Sequence, residues 1–153
     1  MFERVYTVHD YYDGPRSGIA NFGGRPHYYS CEWDDAANDY ADSFTLVSID
    51  EETLDLALEQ WAIWKKWEVA FHNGHRHRGS HPALPGQNEW YAELDQRIKA
   101  KMAVLPVSHC ARATFRACPR QESLPRGVIR DLEVQWSVLP NNALQATRED
   151  ARA

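Results

Sequence analysis

The chain has 153 residues, 43% of them hydrophobic and 25% charged, with a formal net charge of −5. That length fits one domain with a single core, and the aromatic content of 12% argues against general disorder. An acidic chain repels phosphate backbones and anionic bilayers at long range, so neither nucleic acid nor a membrane surface is an expected partner.

Phe2 to Tyr12 is rich in Val, Thr and Tyr and reads as a strand. Asp13-Gly14-Pro15-Arg16-Ser17-Gly18 is dense turn chemistry. Ile19 to Phe22, Gly23-Gly24 and His27 to Trp33 read as a second hairpin, Asp34 to Ser43 as a loop, and Phe44 to Ile49 as a short strand.

Asp50 to His72 carries the strongest helical signal. Asp50 suits the N-cap, Glu51 and Glu52 suit the first turn, and Asn73-Gly74 supplies a stop. Only Asp55, Glu59 and Lys66 form a strongly polar stripe, which predicts a helix buried on most sides at the centre of the core. His75 to Gln87 reads as a linker. A second helix is expected from about Asn88 to Val104, with Trp90, Leu94, Ile98 and Met102 on one side.

Ala111, Ala113, Phe115 and Ala117 alternate with Arg112, Thr114 and Arg116; Leu132, Val134, Trp136 and Val138 alternate with Asp131, Glu133, Gln135 and Ser137. The opposite charges of the two polar rows suit cross-strand pairing. The order βββ(β)ααββ predicts an α+β fold: a two-layer domain over residues 1–139, with an antiparallel sheet and both helices on one face. Residues 140–153 are expected to be a disordered or loosely attached tail.

Four features bear on chemistry. His72, His75, His77 and His81 lie close together in sequence, and imidazoles so spaced suit zinc, nickel or copper. However, Arg76 and Arg78 repel a cation, and a solvated loop is the competing account. The turn at Asp13 to Gly18 offers consecutive amides and the Arg16 guanidinium to an anion, but lacks the ending of a phosphate-binding loop. His9, Asp10, Asp13 and His27 hold the minimum kit for acid–base work if the first two hairpins bring His9 and His27 to one face; surface or hydrogen-bonded structural residues are the favoured account. Tyr11, Tyr28 and Trp64, with their aromatic neighbours, suit a flat or cationic ligand, against the alternative of core filling. Core filling is the favoured account; Trp64, lying between the helix's two apolar flanks, sits at a pocket mouth if the sheet covers those flanks incompletely.

Cys31, Cys110 and Cys118 form neither an even framework nor a Cys-x-x-Cys pair. They read as inert thiols in a reducing compartment, which points to the cytoplasm. No cofactor motif is present, and no cofactor is expected.

The ending, NNALQATREDARA from Asn141 to Ala153, resembles the tails of proteins encoded by mobile integron gene cassettes. The resemblance implies a bacterial accessory protein on a mobile element and nothing about its chemistry. The residues favour a non-enzymatic small-ligand or protein-interaction module, with a homodimer as one mode of assembly. The alternative is a small hydrolase-type enzyme with a His/Asp acid–base or metal site.

Overall fold

A computed structural model of the chain describes residues 1–119 and 125–140. The expected tail, apart from Pro140, lies outside the described residues. The fold is α+β and comprises two compact units. One spans Met1–Ile49, Leu105–Arg116 and the chain from Leu132; the other spans Asp50–Val104 and Ala117–Asp131.

The first unit corrects the two-layer expectation. Strands β1 (Glu3–Tyr11), β2 (Pro15–Phe22), β3 (Arg25–Ser30), β6 (Phe44–Ser48), β7 (His109–Ala117) and β8 (Leu132–Val138) form a closed barrel in the order β1-β2-β3-β6-β7-β8. A strongly twisted sheet can satisfy its edges by pairing first strand with last, which β1 and β8 do at Glu3↔Val134 and Arg4↔Glu133. The expected alternation of charge on β7 and β8 is realised in an ion pair between Arg116 and Glu133. The stretch expected as a loop instead holds a small hairpin, β4 (Trp33–Asp34) with β5 (Asp39–Tyr40). The predicted turn is also shorter than expected. β2 already begins at Pro15, because register shifts in β1 near Val8 and Asp10 carry the pairing to the end of the strand.

The barrel interior is the core. Ala20, Tyr29, Leu46, Ala111 and Val134 are inaccessible to solvent. Rings of Phe44, Phe115 and Trp136 surround Tyr29 at 5.9, 5.6 and 6.1 Å. The Tyr29 hydroxyl donates to the Thr7 carbonyl at 2.9 Å, and the Trp136 indole donates to the Asn21 carbonyl at 2.8 Å, so neither polar tip is left unpaired. Gly18 faces this arrangement. A Cβ there would lie 2.1 Å from the Thr7 carbonyl oxygen and 2.6 Å from the Tyr29 hydroxyl.

The second unit is built on helices α1 (Glu51–His72) and α2 (Glu89–Met102). Asp50 caps α1 as predicted, accepting from the Thr53 N–H at 2.8 Å and the Thr53 hydroxyl at 2.6 Å. Those two bonds hold the Asp50 carboxyl below its ordinary range. A depressed carboxyl stabilises the fold above its unfolded value, 3.8, and loses that contribution as the pH falls through the folded value. Asp50→Ala is therefore expected to lower the melting temperature at pH 7, with the gap from wild type closing as the pH falls through the lowered value of the folded carboxyl. Thermal melts from pH 7 to 2 read this directly.

The apolar flanks of α1 are half-buried, and its fully buried positions are Thr53, Ala57, Gln60 and Glu68. The helix is thus not the centre of the core cluster, which lies in the barrel. Gln60 donates to Asp95 of α2 at 3.3 Å, and Trp90 of α2 donates to Glu59 at 2.7 Å. Glu68 accepts from Lys65 at 3.1 Å and from the Ile129 N–H at 3.0 Å, while Lys65 also donates to the Ile129 carbonyl at 2.7 Å. This clamp fastens the returning segment around Ile129 to α1.

Candidate functional site

The groove of the helical unit is the best-formed candidate. Ile63, Lys66, Trp67 and Ala70 line it from α1. Their spacing of i, i+3, i+4 and i+7 puts them on one helix face. The opposite wall comes from the loop between the helices: Arg76, Ser80, Pro82, Gln87 and Asn88. The space amounts to about 490 Å3, within the usual range for small-molecule sites.

Tryptophans fix the loop that makes this wall. The Trp67 indole donates to the Ser80 hydroxyl at 3.0 Å, and that hydroxyl donates to the His77 carbonyl at 2.7 Å. A single 3-10 turn, Arg78–Ser80, sits at this point. The Trp67 ring also packs on His81 at 4.6 Å, and the Trp64 indole donates to His81 Nε2 at 3.2 Å. The loop ends at Asn88, whose side chain caps α2 by accepting from the Tyr91 N–H at 2.9 Å.

The electrostatics are one-sided. Lys66 and Arg76 line the groove and no carboxylate does. Neither cation has an ion pair or hydrogen bond among the described residues. The α2 N-terminus adds a partial positive charge at the Asn88 rim. The arrangement suits a ligand with an apolar body and an anionic head.

The histidine cluster is dispersed. His72 meets Phe71 edge-on and faces Gly127, His75 and His77 are exposed, and His81 is taken up by the two tryptophans. Among the described residues no three His, Cys, Asp or Glu side chains are grouped to hold a metal ion. Trp64 is not part of the groove lining; Trp67, one turn along, takes that place.

The barrel holds the other sequence candidates. His9 lies against the Thr7 hydroxyl at 3.2 Å and against Tyr28 at 6.5 Å between ring centroids. Asp10 accepts from the buried Ser17 hydroxyl at 2.8 Å. Burial raises the Tyr28 phenol above its ordinary value; the Ser17 hydroxyl opposes that shift and the charge of Asp10 adds to it. His27 is oriented by the Arg25 carbonyl at 2.8 Å and packs against Phe22 and His109 at 5.3 and 6.3 Å. The structure thus places His9 and His27 in different ring clusters rather than in one acid–base pair.

Asp13 forms the bend with φ +49°. Its carbonyl and that of Tyr12 accept from Arg16 at 3.2 and 2.8 Å, so Arg16 is committed to the turn. Tyr11 is exposed beside it. Burial pushes the Cys31 thiol up, against a smaller opposing effect of Arg16, and the thiol donates to the Ala41 carbonyl at 2.8 Å. Burial pushes the Cys110 thiol up as well. Protonated, hydrogen-bonded thiols are poor nucleophiles.

No family model, no curated protein and no solved structure matches the chain. The sites themselves are therefore the guide to function.

Sequence reasoning missed the groove. Its available signals were the helical spacing of Ile63, Lys66, Trp67 and Ala70 and the Pro82 and Arg76 of the segment read as a linker.

Proposed function

We propose that this protein is a small-molecule binding module, and that its ligand is an organic anion with a flat or branched apolar body held in the groove between α1 and the following loop. The observation that carries this reading is the pair of uncompensated cations, Lys66 and Arg76, on a groove otherwise lined by apolar and neutral polar groups. An anion arriving there pairs with two exposed cations, while Ile63, Trp67, Ala70 and Pro82 take its apolar body. The loop is held in place beforehand by Trp64 and Trp67, which reduces the ordering cost of binding. The acid–base alternative has less support, because His9 packs against Tyr28 while His27 packs against Phe22 and His109.

The free cysteines fit a reducing compartment, and a cytoplasmic role in a bacterium belongs to the same reading. No helix among the described residues is long and apolar enough to cross a membrane.

Anilinonaphthalene sulfonate, an anionic apolar fluorophore, is expected to bind the folded protein at one site. The double variant Lys66→Ala/Arg76→Ala is expected to weaken it at least about tenfold, equivalent to roughly 1.4 kcal/mol. A neutral anilinonaphthalene should lose little between the same two proteins. Equal binding of the anion to wild type and double variant would refute the assignment. Native mass spectrometry of protein purified from its host tests for the natural ligand.

A further inference from the structure

We propose that the barrel unit carries a second binding face, on the β4–β5 hairpin, that takes an arginine-bearing basic segment of a partner protein. The hairpin pairs only at Trp33↔Tyr40 and Asp34↔Asp39, too short a ladder to bury its rings. Trp33 is left 48% exposed, and Tyr12 beside it 63%. Trp33 is nonetheless held, with its ring edge-on to Tyr40 at 5.2 Å and 86°. Tyr40 in turn packs on Tyr12 at 5.9 Å. A fixed, exposed aromatic cluster is the kind of surface that anchors a partner.

The chemistry of the occupant follows from what surrounds these rings. Glu32, Asp34, Asp35, Asp39 and Asp42 are all exposed on this short stretch of chain. Asp34 accepts from the Ala36 N–H at 3.0 Å and Asp39 from the Tyr40 N–H at 2.7 Å, each through Oδ1. The carboxylates are thereby oriented, with Oδ2 available. Asp42 pairs with Arg112 at 3.5 Å with both partners exposed, and the Arg16 guanidinium also lies against the hairpin. A cationic side chain that lands on Trp33 gains ring and carboxylate contacts together.

The chain supplies its own precedent for guanidinium here. Arg16 lies 4.4 Å over the Tyr40 ring while its donors are taken by the Tyr12 and Asp13 carbonyls. Arginine is favoured over lysine because a planar guanidinium stacks on a ring and reaches a carboxylate with two donors at once. A second copy of this chain does not fit in a two-fold contact. Such a contact would bring the same carboxylates face to face on molecules that each carry −5.

The test is calorimetric titration of the full chain with a capped (Arg-Pro)4 peptide, with (Lys-Pro)4 as comparison, at low and high salt. The arginine peptide is expected to bind and to weaken steeply with salt. Trp33→Ala should weaken it at least tenfold, and Asp34→Asn/Asp39→Asn should weaken it and flatten the salt dependence. Asparagine keeps the Oδ1 acceptors, so the hairpin is retained in that variant. Lys66→Ala/Arg76→Ala should leave peptide binding unchanged, which separates this face from the groove. The inference is overturned if the arginine peptide does not bind, binds Trp33→Ala as well as wild type, or binds no better than the lysine peptide.

Discussion

Replacing Gly18 by alanine is expected to unfold the barrel, at a cost of more than about 3 kcal/mol. The added Cβ would meet the Thr7 carbonyl oxygen at 2.1 Å and the Tyr29 hydroxyl at 2.6 Å, both well inside contact distance. The Thr7 contact is to backbone, and that strand segment is also held by the Ile19 N–H, which donates to the Thr7 hydroxyl at 2.9 Å. Neither neighbour is the free end of a flexible side chain, so relief requires moving β1 away from β2. Tyr29→Phe alone should cost only about 1 kcal/mol, the net worth of one buried hydrogen bond. Combining Tyr29→Phe with Gly18→Ala should not rescue folding, because the backbone clash remains. Urea denaturation followed by tryptophan fluorescence measures all three. A Gly18→Ala protein within about 1 kcal/mol of wild type would show that β1 and β2 are not so closely apposed.

Removing Glu68 is expected to have the second-largest effect. The residue is 4% exposed and serves two donors, the Lys65 ammonium and the Ile129 N–H. Glu68→Ala strands a half-buried cation and an amide, and the expected loss is about 3 kcal/mol. Glu68→Gln keeps an acceptor for Ile129 but not the charge, and should fall between alanine and wild type. The local signature should be accelerated amide exchange at Ile129, with the α1–α2 contacts around Leu94 still protected. A Glu68→Ala protein as stable as wild type would mean that the clamp contributes nothing.

Both sensitive positions lie where local sequence rules were least informative. Strands with one wet face announced themselves: β7 and β8 were legible from alternation, and their predicted charge complementarity is met by Arg116 and Glu133. The α1 boundaries were legible from Asp50 and Asn73-Gly74, because caps are local chemistry. Closure of the sheet was not legible. It depends on β1 meeting β8 across nearly the whole chain, and no period records that register. β2 is buried from Ser17 to Ala20 without alternation, so its periodicity gave no hint of a barrel wall.

The helix misled for a related reason. Its tryptophans signalled burial, but Trp64 and Trp67 bind a loop through their N–H groups and stay half-exposed, while Glu68 is buried beside Lys65 and the distant Ile129. The groove needed the loop's path, which a Gly/Pro/His-rich stretch does not encode locally. Whether His9 and His27 share surroundings was also beyond local rules: His9 lies against Tyr28, and His27 against Phe22 and His109.

The seam that completes the barrel joins residues 3 and 4 to residues 133 and 134. During synthesis β1 must therefore wait, one edge exposed, until residues 133 and 134 have emerged from the ribosome. Two register pairs are also a narrow fastening compared with the six that join β2 to β3. Until that seam forms, the newborn chain should be prone to mispairing along the open edge of β1.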